Sequence, residues 1–213
     1  AAANSALACA PFRRLHLCDH NLETIDTTST TSDTLLAEVC YAAKEEGASI
    51  KGYHGKHQLT NLGSTICTVL ARSFADIGDI VRGKDLYLGN SKEKEQREKL
   101  DKKLKEIFKE IHSEVTSDKK GELKTRYEND TTNYYKLRED WWTANRETVW
   151  KAITCKAEQN NKYFRDACSG GKTPTQGYCR CNGDQPGNDK ANIDPPTYFD
   201  YVPQFLRWFE EWA

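Results

Sequence analysis

The stretch TICTVLARSFADIGDIVRG, residues 65–83, decides the fold. Its apolar side chains recur at helical spacing on one side, at Ile66, Val69, Leu70, Phe74, Ile77 and Val81. Arg82 and Gly83 follow where a helix of this length would end. We therefore predict a helix over 65–81 that is deeply buried along its apolar stripe.

Helical periodicity recurs on both sides of this stretch. It predicts a short helix from Leu35 that Gly47 ends, an amphipathic helix over 91–115, a long helix over 134–156 and a C-terminal helix after Pro203. Residues 50–63 are polar and without a period, so we predict a loop there. A second loop is predicted over 169–196, where aliphatic residues almost vanish. Since no stretch alternates like a strand, the predicted class is all-α with long polar loops.

The cysteines are even in number, which predicts disulfides and an oxidising compartment. They are Cys9, Cys18, Cys40, Cys67, Cys155, Cys168, Cys179 and Cys181. The alternative is a zinc site built from Cys168, Cys179 and Cys181, but structural zinc sites usually offer two separated C-x2-4-C pairs. We therefore predict a disulfide-stapled helical bundle, with its pairing left open by the residues themselves.

The charge balance excludes some partners. Thirty-one basic and 32 acidic residues give a formal net charge of −1, so no overall field favours nucleic acid or anionic lipid. No stretch approaches the roughly 20 apolar residues of a membrane span, and the first residues lack the features of a signal peptide. The aromatic pattern at Phe205, Trp208, Phe209 and Trp212 favours further protein after it. If the protein is extracellular, we expect this sequence to be part of a longer chain.

Catalytic signatures are missing from the sequence. His54 and His57 flank Gly55 and lack the Glu of H-E-x-x-H, so we interpret them as surface-loop residues. Two carboxylate pairs are interpreted as solvated or helix-capping, namely Asp76 with Asp79 and Glu210 with Glu211. No P-loop, nucleophile elbow or dinucleotide fingerprint occurs. We predict no enzyme activity, no catalytic residues, no metal site and no cofactor.

Basic residues crowd the predicted helix over 91–115 and the segment after it. The candidate glycan-binding residues are Lys99, Lys102, Lys103, Lys105, Lys109, Lys119 and Lys120. Acidic side chains are interleaved with them, so the net positive excess is small. A solvated helix surface and a sulfated-glycan site therefore both stay open.

Four blocks together carry a family resemblance. They are CAPFRRLHLC at 9–18, ARSFADIGDIVRGKDL at 71–86, WKAITC at 150–155 and PTYFDYVPQFLRWFEEW at 196–212. The chain resembles the Duffy-binding-like α domain of the variant erythrocyte membrane proteins that malaria parasites display. The resemblance extends across nearly the whole chain.

This resemblance implies a fold of helical subdomains joined by disulfides. Residues 1–20 would end the first subdomain and 21–213 would form the second, with the third absent. By analogy with related domains, Cys67 would pair with Cys179 or Cys181.

The resemblance also implies a function and a location. The expected function is host-cell adhesion of a variant surface antigen, on the extracellular face of the infected red-cell membrane and next to further domains of the same chain. The expected partners are red-cell or endothelial receptors, including heparan-sulfate-like glycans or blood-group sugars, as in rosetting. The alternative is a structural spacer that orients an adjacent receptor-binding domain.

Overall fold

A computed structural model of the chain describes residues 10–18, 22, 25, 31–57, 65–117 and 121–212. The helices of this part are α1 (Phe12–Leu15), α2 (Ser32–His57), α3 (Ile66–Arg82), α4 (Ser91–Val115), α5 (Gly121–Tyr127), α6 (Tyr135–Ile153) and α7 (Gln204–Trp212). A 3₁₀ turn, Phe199–Tyr201, precedes α7. The described residues contain isolated β-bridges but no strand, so the all-α prediction is confirmed.

Helix α3 lies at the centre, packed against α2, α6 and the 3₁₀ turn. Its predicted apolar stripe is confirmed, and Phe74 contacts the rings of Trp142 and Trp150 at centroid distances of 5.1 and 5.2 Å. A Cβ at Gly78 would lie 2.7 Å from the Trp142 ring, so glycine permits this ring to pack on the helix backbone. Gly83 ends α3 in the left-handed region at φ 71°.

Helix α2 does not end at Gly47 as predicted, but continues to His57. The predicted loop over 50–63 is therefore wrong for 50–57, and 58–64 lie outside the described residues. A Cβ at Gly47 would lie 2.0 Å from the carbonyl oxygen of Ile153, so this glycine permits close packing of α2 on α6. Glycine inside a helix costs about 1 kcal/mol, which such packing outweighs.

The remaining helices follow their sequence signals to different extents. Asn90 and Glu93 form a capping box at the start of α4, and α4 has the predicted bounds. Helix α6 ends at Ile153 rather than at Lys156. The short helices α1 and α5 were not predicted, because four and seven residues are too few to show an apolar period. Among the described residues, no helix has the length and apolar character needed to cross a bilayer.

Two disulfides hold the helices to the polar segment after α6. Cys67 pairs with Cys179, as the family resemblance implied, and Cys168 pairs with Cys181. The zinc alternative is wrong, because all three of its cysteines are in these disulfides.

The prediction that every cysteine is paired needs correction for Cys40 and Cys155, which carry no disulfide. The contact of Gly47 with Ile153 places Cys40 roughly 10 Å along α2 from that end of α6, beyond the reach of a disulfide. Burial raises the pKa of the Cys40 thiol to about 11. Cys9 lies outside the described residues, and disulfide bonding of Cys18 stays a prediction.

The polar segment over 169–196 is a loop, as predicted, but it has a buried anchor. Arg180 is 2% exposed and its guanidinium donates to the Thr154 hydroxyl at 2.7 Å and to the Lys151 carbonyl at 2.6 Å. Asp184 accepts a third bond at 3.2 Å. The loop is therefore fixed to the end of α6 by a side chain as well as by cystines.

Candidate functional site

The described candidate lysines all belong to α4. Lys99, Lys102 and Lys109 are exposed, whereas Lys103 and Lys105 are partly buried. Lys119 and Lys120 lie outside the described residues, so the structure does not place them. The structure therefore brings five of the seven predicted residues onto one helix.

Three of these five lysines have partners. Lys99 pairs with Glu95 at 2.7 Å, Lys105 pairs with Asp101 at 2.8 Å, and the Lys103 amine donates to the Ile25 carbonyl at 3.3 Å. Within the described part of the chain, neither an ion pair nor a side-chain hydrogen bond involves Lys102 or Lys109. Of the five candidate lysines, these two are the most available for an external anion.

Lys102 and Lys109 share a face of α4, since seven residues make about two turns and roughly 10 Å along a helix. Glu106 lies between them on the same face and is also exposed. The local positive excess is small, as the sequence predicted. A surface of this kind supports a weak contact that salt would screen.

A second cluster holds the start of α4 in place. Asp85 accepts from Arg14 at 2.6 Å and also pairs with Arg97. The Tyr87 ring contacts both guanidinium groups, with centroid distances of 4.7 Å to Arg14 and 5.0 Å to Arg97. Arg97 therefore stabilises the fold and does not belong to the outer face of α4.

A cluster of buried charges lies on the inner side of α3. We call Arg13, Asp76, Asp79, Gln204 and Arg207 the α3 junction, and each of them is at most 8% exposed. Asp76 pairs with Arg13 at 2.8 Å and with Arg207 at 2.7 Å, and Arg207 also pairs with Asp79 at 2.6 Å. Gln204 donates to Asp76 at 3.1 Å.

The junction overturns the interpretation of Asp76 and Asp79 as solvated or helix-capping. Burial by itself would raise the pKa of Asp76, but the charges of Arg13 and Arg207 hold it below its usual range. For Asp79, burial raises the pKa by more than Arg207 and Arg82 lower it. Both carboxylates bond arginines and fix the fold geometry, which leaves neither for acid–base chemistry.

A parallel arrangement fixes the 3₁₀ turn to α6. The Asp200 carboxylate accepts two bonds of 2.8 Å from Arg146 and one of 2.9 Å from the Trp142 indole. The sequence carried a signal for both clusters, because Asp76, Asp79 and Asp200 lie inside the blocks that carry the family resemblance. Asp76 and Asp79 also stand within an apolar helical run, where a charged side chain needs a partner.

The structure also places two other sets of polar residues that the sequence analysis considered, His54 and the pair Glu210 and Glu211. His54 is a buried residue of α2, so its interpretation as a surface-loop residue is wrong because α2 continues past Gly47. Glu211 accepts two bonds from Arg13, at 3.1 and 2.9 Å, whereas Glu210 is exposed. The pair Glu210 and Glu211 therefore has one solvated member and one structural member.

Helix α7 presents an apolar outer side, formed by Phe205, Leu206, Phe209 and Trp212. Phe209 is 75% exposed and Trp212 is 61% exposed. A cavity of about 270 Å³ opens beside Phe205 and is lined by Arg82, Lys84, Leu86 and Tyr201, among others. Apolar side chains this exposed favour contact with another protein surface.

These features define a class of protein, a helical module held together by cystines and buried ion pairs. The exposed lysines of α4 and the exposed apolar side chains of α7 lie on its outer surface, where they can contact another molecule. The chain matches the Duffy binding domain family over residues 7–207 and belongs to that family. The predicted resemblance is thereby confirmed.

Solved structures agree with this assignment. The NTS-DBL1(alpha-1) domain of Plasmodium falciparum membrane protein 1 (PfEMP1) from the varO strain is 44% identical, with a TM-score of 0.75, and the alignment covers 99% of this chain and 44% of that one. The double domain of NTS-DBL1-alpha and CIDR-gamma from the same strain is 43% identical, with a TM-score of 0.72 and coverage of 99% and 28%.

A PfEMP1 DBLbeta domain bound to ICAM-1 is also similar, at 32% identity and a TM-score of 0.69, with coverage of 98% and 45%. This chain thus spans less than half the length of these relatives. Comparison with curated proteins gives no significant match. The assignment of 1–20 and 21–213 to two subdomains stays a prediction.

Proposed function

We propose that this chain is a host-receptor adhesion module of a variant surface antigen and not an enzyme. The observation that carries the proposal is the DBLbeta relative, whose structure was solved bound to ICAM-1 and which shares this fold over 98% of the chain. In this proposal the module lies on the extracellular face of the infected red-cell membrane, carried by a larger membrane protein. Its partner is a red-cell or endothelial receptor.

The finer proposal is that the receptor includes a sulfated glycan and that α4 contacts it. Support comes from Lys102 and Lys109, which are exposed and have no described partner. Lys99 and Lys105 already pair with carboxylates of the same helix, so they would have to exchange one partner for another. We therefore assign the larger share of glycan binding to Lys102 and Lys109.

The adhesion proposal is tested by binding of the isolated module to red cells and endothelial cells, with and without enzymatic removal of heparan sulfate. Saturable binding to either cell type is expected. Loss of binding after heparan sulfate removal would support the glycan, and binding that persists would indicate a protein receptor or another sugar. No saturable binding to either cell type would refute the adhesion proposal for this module.

The α4 proposal is tested by elution from heparin with increasing salt. Replacing Lys102 and Lys109 by Ala should lower the eluting salt concentration by more than replacing Lys99 and Lys105 by Ala. Both double variants remove two positive charges from one helix, so they are matched in net charge. Equal shifts would show a general charge effect and would refute the assignment to Lys102 and Lys109.

A second candidate function is a structural spacer that orients an adjacent receptor-binding domain. The exposed apolar outer side of α7 favours it, because such a side suits packing against a neighbouring domain. In that case the isolated module would bind no host cell. Replacing Phe209 and Trp212 by Ser would then weaken its association with the neighbouring domain, whereas adhesion through α4 would be unaffected by that change.

A further inference from the structure

Helix α7 is attached to the rest of the molecule by two buried polar side chains and one buried aromatic ring. Its buried residues are Gln204, Arg207 and Trp208, so only one of the three is apolar. Arg207 bonds both carboxylates of α3, and the Gln204 amide donates to Asp76 at 3.1 Å and to Asp85 at 2.7 Å. Directional bonds to a few carboxylates therefore hold α7 in place together with the buried Trp208 ring.

Helix α1 uses the same carboxylates. Arg13 pairs with Asp76 at 2.8 Å, and Arg14 pairs with Asp85 at 2.6 Å. Asp76 and Asp85 each hold one arginine of α1 and at least one polar side chain of α7. In addition, Arg13 bonds Glu211 of α7 directly, across 198 residues of sequence.

Because α1 and α7 bond the same buried carboxylates, the attachment of one helix depends on the attachment of the other. If α7 moved away, Arg13 would lose Glu211, and Asp76 would lose Arg207 and Gln204. An ion left in a buried position without its partners is costly, because burial removes the water that would otherwise solvate it. Opening of α7 must therefore weaken the attachment of α1, and the reverse holds by thermodynamic reciprocity.

We propose that α1 and α7 form one cooperative unit on α3, the α1–α7 unit, which opens and closes together while the helical core stays folded. The coupling within this unit comes from the shared carboxylates Asp76 and Asp85, so it does not depend on which receptor the module binds.

Hydrogen exchange of backbone amides in the whole chain tests the unit. Glu211→Gln removes a charged partner of Arg13 from the outer end of α7, at a position that is only partly buried. We expect exchange to become at least tenfold faster in both α7 and the segment over 11–18, with no change in α6. Glu210→Gln is the matched control, since it makes the same change one residue away at an exposed position, and it should leave both segments unchanged.

The reciprocal variant is Arg13→Lys, which keeps the charge of α1 but loses the planar fork. It should accelerate exchange in α7 by a similar factor; if this variant does not fold, Glu211→Gln decides alone. Faster exchange in α7 without faster exchange over 11–18 would overturn the proposal. An equal acceleration in α6 would also overturn it, because the change would then be global unfolding.

Discussion

The α3 junction and the outer face of α4 are both rich in charge, but they differ in the burial of their charged side chains and in how those side chains are paired. At the junction, Asp76 is fully buried between two arginines. On α4, Glu95 and Lys99 pair while about two thirds of each side chain remains in water. The first region fixes the fold, and the second is available for contact with another molecule.

The difference follows from side-chain chemistry. A guanidinium group is planar, weakly hydrated and able to bond two carboxylates at once, so arginine tolerates burial among aspartates. A lysine ammonium is strongly hydrated and keeps its charge in water while its stem lies along the protein surface. The comparison teaches that arginine with aspartate in an apolar run indicates a buried cluster, whereas alternating lysine and glutamate indicates a surface.

Removal of one charge from the junction should have the largest effect. Asp76→Asn leaves Arg13 and Arg207 buried with less compensation, and we expect the free energy of unfolding to fall by about 3–5 kcal/mol. Urea denaturation measures this loss. Asp166→Asn makes the same change on an exposed loop and should stay within about 0.5 kcal/mol of the parent. Equal small losses for both variants would show that burial does not distinguish the two regions.

A similar contrast exists within α2, between packed and open positions. Gly47→Ala places a methyl group 2.0 Å from the Ile153 carbonyl oxygen and should cost about 1–3 kcal/mol. Gly52→Ala, in the same helix, meets no atom within 4 Å and should stabilise the protein by up to about 1 kcal/mol. Thermal unfolding of the two variants should give shifts of opposite sign. A Gly47→Ala variant as stable as the parent, or more stable, would show that the packing of α2 on α6 adjusts to a methyl group.

Sequence periodicity predicted the long amphipathic elements and missed features that depend on tertiary contact. The apolar stripes of α3 and α4 were sufficient to place both helices. The continuation of α2 through Gly47 was missed, because only the proximity of Ile153 explains a glycine there. Disulfides of Cys40 and Cys155 were predicted from an even cysteine count, which carries no information on distance.

The position of the lysine-rich helix could be predicted from the sequence, but the partners of its side chains could not, and glycan binding by its lysines stays a prediction. The lysine-rich helix was identified from composition, whereas the separation of Lys102 and Lys109 from the paired lysines needed side-chain positions. Asp79 has a local partner in Arg82, but Asp76 and Asp79 were misinterpreted because Arg13 and Arg207, which join them into one buried cluster, are distant in sequence. Pairing across such separations leaves no local period to detect.

A buried acid elsewhere in the core should show a pH dependence that no surface acid shares. Glu46 accepts from Ser73 at 2.6 Å, and burial raises its pKa by more than that hydrogen bond and Arg13 lower it. The folded state therefore takes up a proton at higher pH than the unfolded state, so the protein gains stability as pH falls through the raised pKa.

Glu46→Gln removes this proton uptake, so between pH 7 and the ordinary pKa of glutamate the parent should gain stability relative to the variant. Urea denaturation across that pH range measures the difference. Glu45→Gln, at the exposed neighbouring position, should follow the parent in parallel. A pH-independent difference between the parent and Glu46→Gln would contradict the raised pKa.

The smallest effect is expected on the outer face of α4. Glu95→Gln breaks the pair with Lys99, whose partners are both mostly in water, so hydration replaces what the pair loses. The midpoint of urea denaturation should not change measurably, at low or at high salt. A loss that approached that of Asp76→Asn would mean that the α4 face contributes to folding much as the α3 junction does. Lys99 would then stabilise the fold in the way that Arg97 does, and the face would offer fewer charges to a receptor than its exposure indicates.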